Sequence, residues 1–165
     1  SIEIQSALGV GTTISIRLPL TLAILDGLSV AVGGEIFIVP LAYIKESLQP
    51  VAADIKTIAG RGRVIQVRGE YLKIIALHEV FHIAPRVAEL DRGIMVILES
   101  DGARIALLVD GLLGQQQVVI KSLESNYRRV PCVSGATIMG DGKVALILDA
   151  AALVGHGQRR LARVA

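Results

Sequence analysis

The sequence predicts a mainly β protein, on three observations. Short β-branched and leucine-rich runs dominate the chain, either alternating with polar residues or continuous. Glycine-containing turns separate these runs at close intervals. Helical patterns are few. Together these point to a small-barrel or sandwich architecture.

Taken in order, Ile14, Ile16 and Leu18 alternate with Ser15 and Arg17, an amphipathic strand ending at Pro19. Leu28 to Val32 and Ile36 to Val39 flank Gly33-Gly34, a turn in which positive φ costs little. Val64 to Val67 and Tyr71 to Ala76 flank Arg68-Gly69-Glu70. Ile94 to Glu99 and Arg104 to Val109 flank Asp101-Gly102, the strongest short hairpin signal in the chain. Ala136 to Met139 and Val144 to Leu148 flank Gly140-Asp141-Gly142, so each half of the chain carries two hairpins. Leu77 to Phe81 fits a single helical turn before Pro85, and Pro85 to Gly93 reads as a polar connection. Asp149 is placed to cap a short helix through Val154, with a frayed tail from Gly155.

Composition bounds the function. At 165 residues and 52% hydrophobic, the chain can bury a sizeable core as one domain or two small ones sharing it, which excludes disorder. A net charge of +2, with Arg159, Arg160 and Arg163 as the densest basic cluster, lacks the stripe that phosphate neutralisation wants. Aromatic residues make up 3%, with no Trp, which argues against base stacking and hence against a nucleic-acid-binding pair of barrels. The single Cys132 excludes an internal disulfide and fits a reducing compartment. The longest apolar run, Ile36 to Ile44, contains Pro40 and is far shorter than the roughly 20 residues that cross a bilayer. Ser1, without a Met or a basic flank before an apolar run, is not the start of a signal peptide and is expected to be a cut inside a longer protein.

The motifs that could carry chemistry are weak. His78-Glu79-Val80-Phe81-His82 is a literal H-E-x-x-H, which on a helix places two zinc ligands on one face with a glutamate base. Pro85 leaves room for only one or two turns, and Glu89, Glu99 and His156 are the unmarked candidates for a third ligand. A short turn with Leu77, Val80 and Phe81 inward is the expectation, with no metal. Gly9-Val10-Gly11-Thr12 permits close approach to an anion but occurs in many hairpins. Gly140-Asp141-Gly142 lacks the acids of a calcium loop. Cys132 reads as a small hydrophobe, and Ser122, Ser125 and Ser134 lack the context of a nucleophile elbow. No catalytic set assembles, and hairpin tips that dock partners become the better use of such a chain. At one tip Arg68 and Tyr71 flank Gly69, residue types enriched in interface hot spots.

Longer motifs then identify a family. Pro19-Leu20-Thr21-Leu22-Ala23-Ile24-Leu25-Asp26-Gly27-Leu28, Ile44-Lys45-Glu46-Ser47-Leu48-Gln49-Pro50 and Val67-Arg68-Gly69-Glu70-Tyr71-Leu72 resemble the chemotaxis histidine kinase CheA. So do Ala106-Leu107-Leu108-Val109-Asp110, Leu123-Glu124-Ser125-Asn126-Tyr127-Arg128 and Ala136 to Asp149, in the same order, over about Ser1 to Val154. The resemblance implies a CheW-like regulatory domain: two SH3-like five-stranded β-barrels packed on a shared core, with few short helices. It divides the chain into the last strands of an ATP-binding domain (1–20), the regulatory domain (21–154) and a C-terminal tail (155–165). Gly9, Gly11 and Thr12 match the final nucleotide-site motif of the parent kinase, whose ATP and Mg would be bound elsewhere; this chain is expected to hold no cofactor and to have no catalysis of its own. His78 falls where relatives commonly carry an apolar or aromatic residue, which further lowers the zinc reading. Implied partners are the adaptor CheW, the cytoplasmic tips of chemoreceptors and the rest of the kinase, in the cytoplasm at membrane receptor arrays, without membrane insertion or nucleic acid. Arg68, Glu70, Tyr71 and Leu72 are the expected CheW-facing residues, and Ile44 to Leu48 is a candidate receptor contact. A sister kinase serving pili or surface sensing and, less favoured, a zinc peptidase are the alternatives.

Overall fold

The computed structural model describes residues 2–16, 23–59, 62–87, 89–121 and 130–162. Part of the Pro19 to Leu28 motif, the Leu123 to Arg128 motif, Ser122 and Arg163 lie outside them. In chain order the elements are β1 (Ile2–Ala7), β2 (Gly11–Ile16), β3 (Ile24–Val32), β4 (Glu35–Pro40), β5 (Ile44–Leu48), β6 (Ile55–Ile58), β7 (Gly62–Val67) and β8 (Glu70–Ala76). There follow α1 (Leu77–Phe81), β9 (Ile94–Ser100), β10 (Ala103–Val109), β11 (Gly111–Val119), β12 (Val133–Ile138), β13 (Val144–Leu148) and α2 (Ala150–Ala162). Single 3-10 turns at Leu41–Tyr43 and Ala52–Asp54 lead into β5 and β6.

The four hairpins form as the turn residues require. Gly33-Gly34, Arg68-Gly69 and Asp101-Gly102 each close a two-residue loop, with Val32 opposite Glu35, Val67 opposite Glu70 and Ser100 opposite Ala103. Arg68 (φ 49°) and Gly69 (φ 84°) both adopt the positive φ that such loops need, so Glu70 belongs to the strand rather than to the turn. Asp101 (φ 51°) and Gly102 (φ 75°) do the same.

Pairing of the hairpins does not follow the halves of the chain. The first and last hairpins share a five-stranded sheet, ordered β11-β3-β4-β13-β12, in which β4 and β13 run parallel. The two middle hairpins share a six-stranded sheet, ordered β5-β9-β10-β8-β7-β6, in which β8 and β10 run parallel. One unit is therefore inserted in the other. Five strands were expected in each barrel; one sheet has six, because Ile55–Ile58 adds an outer strand against β7. Both strand orders are open. In the five-stranded sheet, a bridge between Lys121 and Ala136 draws the two outer strands together. The separate hairpin β1–β2 pairs Ile2 with Ile16 and Ile4 with Ile14, and every residue of both strands is exposed.

Alternation along the strands explains the continuous apolar runs. On β10, Ile105, Leu107 and Val109 face a core shared by the two sheets, while Ala106 and Leu108 face the six-stranded sheet's own core. β9 divides likewise into Val96 and Leu98 against Met95 and Ile97, and β8 into Ile75 against Leu72, Ile74 and Ala76. In the other sheet Phe37 and Val39 of β4 join Leu148 in the shared core, while Ile38 packs with Val118, Ala145 and Ile147 on the far side. A strand covered on both faces needs no polar positions, so period-two patterning gives way to unbroken runs.

Polar contacts at Asp110, Asp149 and Lys73 fix the connections around the cores. Asp110 Oδ2 accepts from Gly33 N–H (2.6 Å) at the β3–β4 tip and from Arg86 N–H (2.9 Å) after α1. Asp149 caps α2 as expected, accepting from Ala152 N–H at 2.9 Å. The helix does not fray at Gly155 but runs to Ala162. Its Leu153 and Val154 enter the shared core, and Gly157 sits so close that a Cβ there would lie 2.9 Å from Ile105 and 3.1 Å from Ile75. Lys73 Nζ donates to the Gly157 carbonyl at 3.0 Å, holding the second half of the helix down.

Because Leu107 is fully buried in the shared core, Leu107→Ala should cost about 2–5 kcal/mol in urea unfolding. Unfolding should remain one transition by circular dichroism and by a fluorescent label on either sheet; two separated transitions would show that the cores are independent.

Candidate functional site

At one end of the six-stranded sheet the structure brings together two segments singled out separately in the sequence, the Arg68–Leu72 tip and the Ile44–Leu48 strand. Arg68 Nη2 donates to Glu46 Oε2 at 2.7 Å, from the β7–β8 turn across to the outer strand β5. Lys45 Nζ lies 3.1 Å from Glu99 Oε1. Arg104 Nε donates to Glu99 Oε2 at 2.7 Å, and its Nη1 reaches Glu70 Oε2 at 3.3 Å. The pairs form two sets, Lys45–Glu99–Arg104–Glu70 from β5 across β9 and β10 to β8, and Arg68–Glu46 from the β7–β8 turn to β5. The chain itself links them at Lys45-Glu46 and between Arg68 and Glu70, and together they make a ring. The Arg68–Glu46 pair joins the outer strand β5 to the β7–β8 turn, while the other outer strand, β6, stands outside this cluster.

Local geometry explains how neighbouring residues of β5 join one cluster. In a regular strand Lys45 and Glu46 would point to opposite faces. The β5–β9 register slips between Ile44 and Glu46, a bulge that leaves one extra residue on β5. Such a bulge re-aims side chains, and here both reach the ring. Glu99 and Arg104 sit directly opposite one another on the β9–β10 hairpin, so their pairing follows from the Asp101-Gly102 turn.

Inside the ring Val67, Leu72 and Ile97 line a shallow cavity of 120 Å³ together with the charged side chains. Leu72 is only 7% exposed and packs with Ile65 and Ile74, so at this surface it supplies floor rather than reach. Tyr71, at 45% exposure, stands outward beside the ring. Its hydroxyl accepts from Lys56 Nζ at 3.2 Å, and the same ammonium lies 5.5 Å from the ring centroid. Sequence reasoning named Arg68, Glu70, Tyr71 and Leu72 but missed Lys56, Glu99 and Arg104. The hairpin register alone could have found the last two.

Of the other sequence candidates, Glu79, His82, Cys132 and His156 line one cavity of 310 Å³, while the glycine motif lies elsewhere. Gly9 (φ 77°) and Gly11 (φ 129°) form the exposed β1–β2 turn, with Thr12 Oγ1 2.9 Å from Ser6 Oγ. α1 ends at Phe81, and His82 is its C-cap in the left-handed region (φ 54°), so His78 and His82 do not share a helical face. Glu79 pairs with Arg63. Among the described residues no group of three or more His, Cys, Asp or Glu could hold a metal. Cys132 is half-buried against the shared core, and no described helix is long and apolar enough to cross a membrane.

The hydrogen bond from Arg104, then that from Lys45, holds the Glu99 carboxyl below its ordinary value of 4.5. A carboxyl depressed by folding stabilises the fold above its unfolded value, and that contribution is lost as pH falls through the lowered one. Carbon-detected NMR should therefore place the Glu99 midpoint below 4.5, with Arg104→Gln moving it upward. A midpoint at or above the ordinary value in the native chain would contradict the ring.

Comparison with known proteins agrees with this architecture. Residues 26–158 match the CheW-like domain family. The chain is 58% identical over 98% of its length to the chemotaxis protein CheA of Salmonella typhimurium, and 59% identical over 92% to that of Klebsiella aerogenes. It spans 24% and 23% of those two relatives, about a quarter of their length. It is also 37% identical over 93% of its length to the sensor histidine kinase CheAY of Helicobacter pylori, of which it covers 19%. The scaffolding protein CheW of Thermoanaerobacter tengcongensis has the same fold, with a TM-score of 0.60 at 17% identity, covering 76% of this chain and 88% of that one. The two-sheet architecture on a common core, the matched span and the level of identity agree: this chain belongs to the CheW-like domain family, in the form carried by chemotaxis CheA proteins.

Proposed function

We propose that the chain is the regulatory and scaffold module of a chemotaxis histidine kinase, binding the adaptor CheW and the cytoplasmic tips of chemoreceptors and passing receptor state to the rest of the kinase. The observation that carries this reading is 58% identity to a CheA protein across 98% of the chain. The module works in the cytoplasm beside receptor arrays and takes no cofactor of its own; ATP and Mg belong to the catalytic part of the kinase. Residues 1–20 are the end of that ATP-binding part. The apolar face made by Ile2, Ile4, Ile14 and Ile16 supports this assignment, because such a face ordinarily packs on further protein.

Two ends serve as docking surfaces. The first is the ion-pair ring with Tyr71 beside it, where an exposed aromatic residue adjoining charged neighbours has the composition of a hot spot. The second is the opposed pair Ile138 and Val144 flanking the Gly140-Asp141-Gly142 turn of the five-stranded sheet, exposed by 54% and 62%. Regulation is then a coupling free energy between partners held at these ends and the attached catalytic part.

Calorimetric titration with purified CheW tests the first surface. Tyr71→Ala and Arg68→Ala should each weaken binding by about 1–3 kcal/mol while leaving the thermal melt unchanged, since both side chains stand at the surface. Native affinity in both variants would remove this end from the CheW interface.

A further inference from the structure

Resting on that reading of the ring as the CheW-facing end, we infer that Glu46 is an internal competitor at Arg68: the partner presents a carboxylate to Arg68 and displaces Glu46 from it. Three observations lead there. Arg68 is the most exposed cation of the ring, 81% against 48% for Arg104 and 52% for Lys45. Among the described residues it makes a single ion pair, through one guanidinium nitrogen. Arg104, by contrast, is held by both Glu99 and Glu70. A guanidinium has five donors in a planar fork suited to two-point contact with a carboxylate, so most of the Arg68 fork is open to a second acid.

The competitor is also set up by local structure. Arg68 occupies a positive-φ turn position, where Asn, Asp or Gly is the usual choice. Glu46 reaches it only because of the bulge in β5. β5 is an outer strand, bonded to β9 on one side alone, so release of Glu46 frees a carboxylate on a strand with few restraints. The ring as a whole carries three acids and three bases and is neutral. A neutral partner surface would gain nothing by disturbing it; an acidic one gains its most exposed cation. Exchange of carboxylates at Arg68 thus links occupation of this end to β5, the candidate receptor-contacting strand.

Titration of the 165-residue chain and its variants with purified CheW separates the possibilities. Glu46→Gln should tighten CheW binding by about two- to fivefold, the range of one exposed ion pair. Arg68→Gln should weaken it, and Glu46→Gln in the Arg68→Gln background should have no effect. Glu46→Asp, with a shorter reach to Arg68, should tighten binding less than Glu46→Gln. Weaker or unchanged binding by a folded Glu46→Gln variant would overturn the competition and make the pair a simple clasp. No binding by the native chain would remove the adaptor reading itself, and the competition with it.

Discussion

The whole molecule depends on strands that are apolar on both faces. Each of the two sheets encloses a small core of its own, and both lean on a third core between them, to which β3, β4, β8, β9, β10, β13 and α2 all contribute. A residue such as Val96 or Leu107 therefore touches a shared interior, while its neighbour Ile97 or Leu108 touches a private one. Close packing makes such an arrangement stiff, since a shift on one face of a strand is felt on the other. The interleaved chain order adds to this: the six-stranded unit is inserted between β4 and β11 of the five-stranded one. Neither unit can part from the other without breaking the shared interior.

Against that background the ion-pair ring has a different task. Exposed pairs contribute little stability, about 0–1 kcal/mol each, far less than the apolar interior. At the docking surface proposed above, what they would supply is orientation. Charges placed across an interface favour the right partner and register more than they raise affinity. The ring also links the outer strand β5 to the β7–β8 turn, which no backbone pairing joins, through charged side chains. Leu72 and Ile97 beneath it connect this end directly to the private core of the six-stranded sheet.

The H-E-x-x-H segment shows why a motif needs its scaffold. Its spacing assumes a helix long enough to bring the fourth residue round to the first, whereas this helix stops at Phe81 and His82 turns left-handed to end it. Leu77 is fully buried, and Phe81 stacks on Phe37 with centroids 4.8 Å apart, so the segment's visible work is packing. Gly157 illustrates the opposite error. Read along the sequence, the segment from Gly155 suggests a fraying end. In three dimensions Gly157 is where α2 and the Ile75–Ile105 surface come closest, and the missing side chain is what permits it.

By itself the sequence determined the local elements: four hairpins, the turn residues that close them, the one-turn helix and the Asp149 cap. All of these depend on residues within a few positions of one another; the Glu99–Arg104 pair, missed in the sequence, follows from the same kind of local register. The likeness of long motifs to a known family also pointed to two units on one core. Only the tertiary structure decided which hairpins share a sheet, where a sixth strand joins, and that Glu46 meets Arg68 and Lys45 meets Glu99. Those choices are made by how two-faced apolar strands can bury all their surface at once, and by a bulge that turns consecutive side chains to one side. Neither is visible in the order of residues, because each is set by a balance of burial over the entire fold.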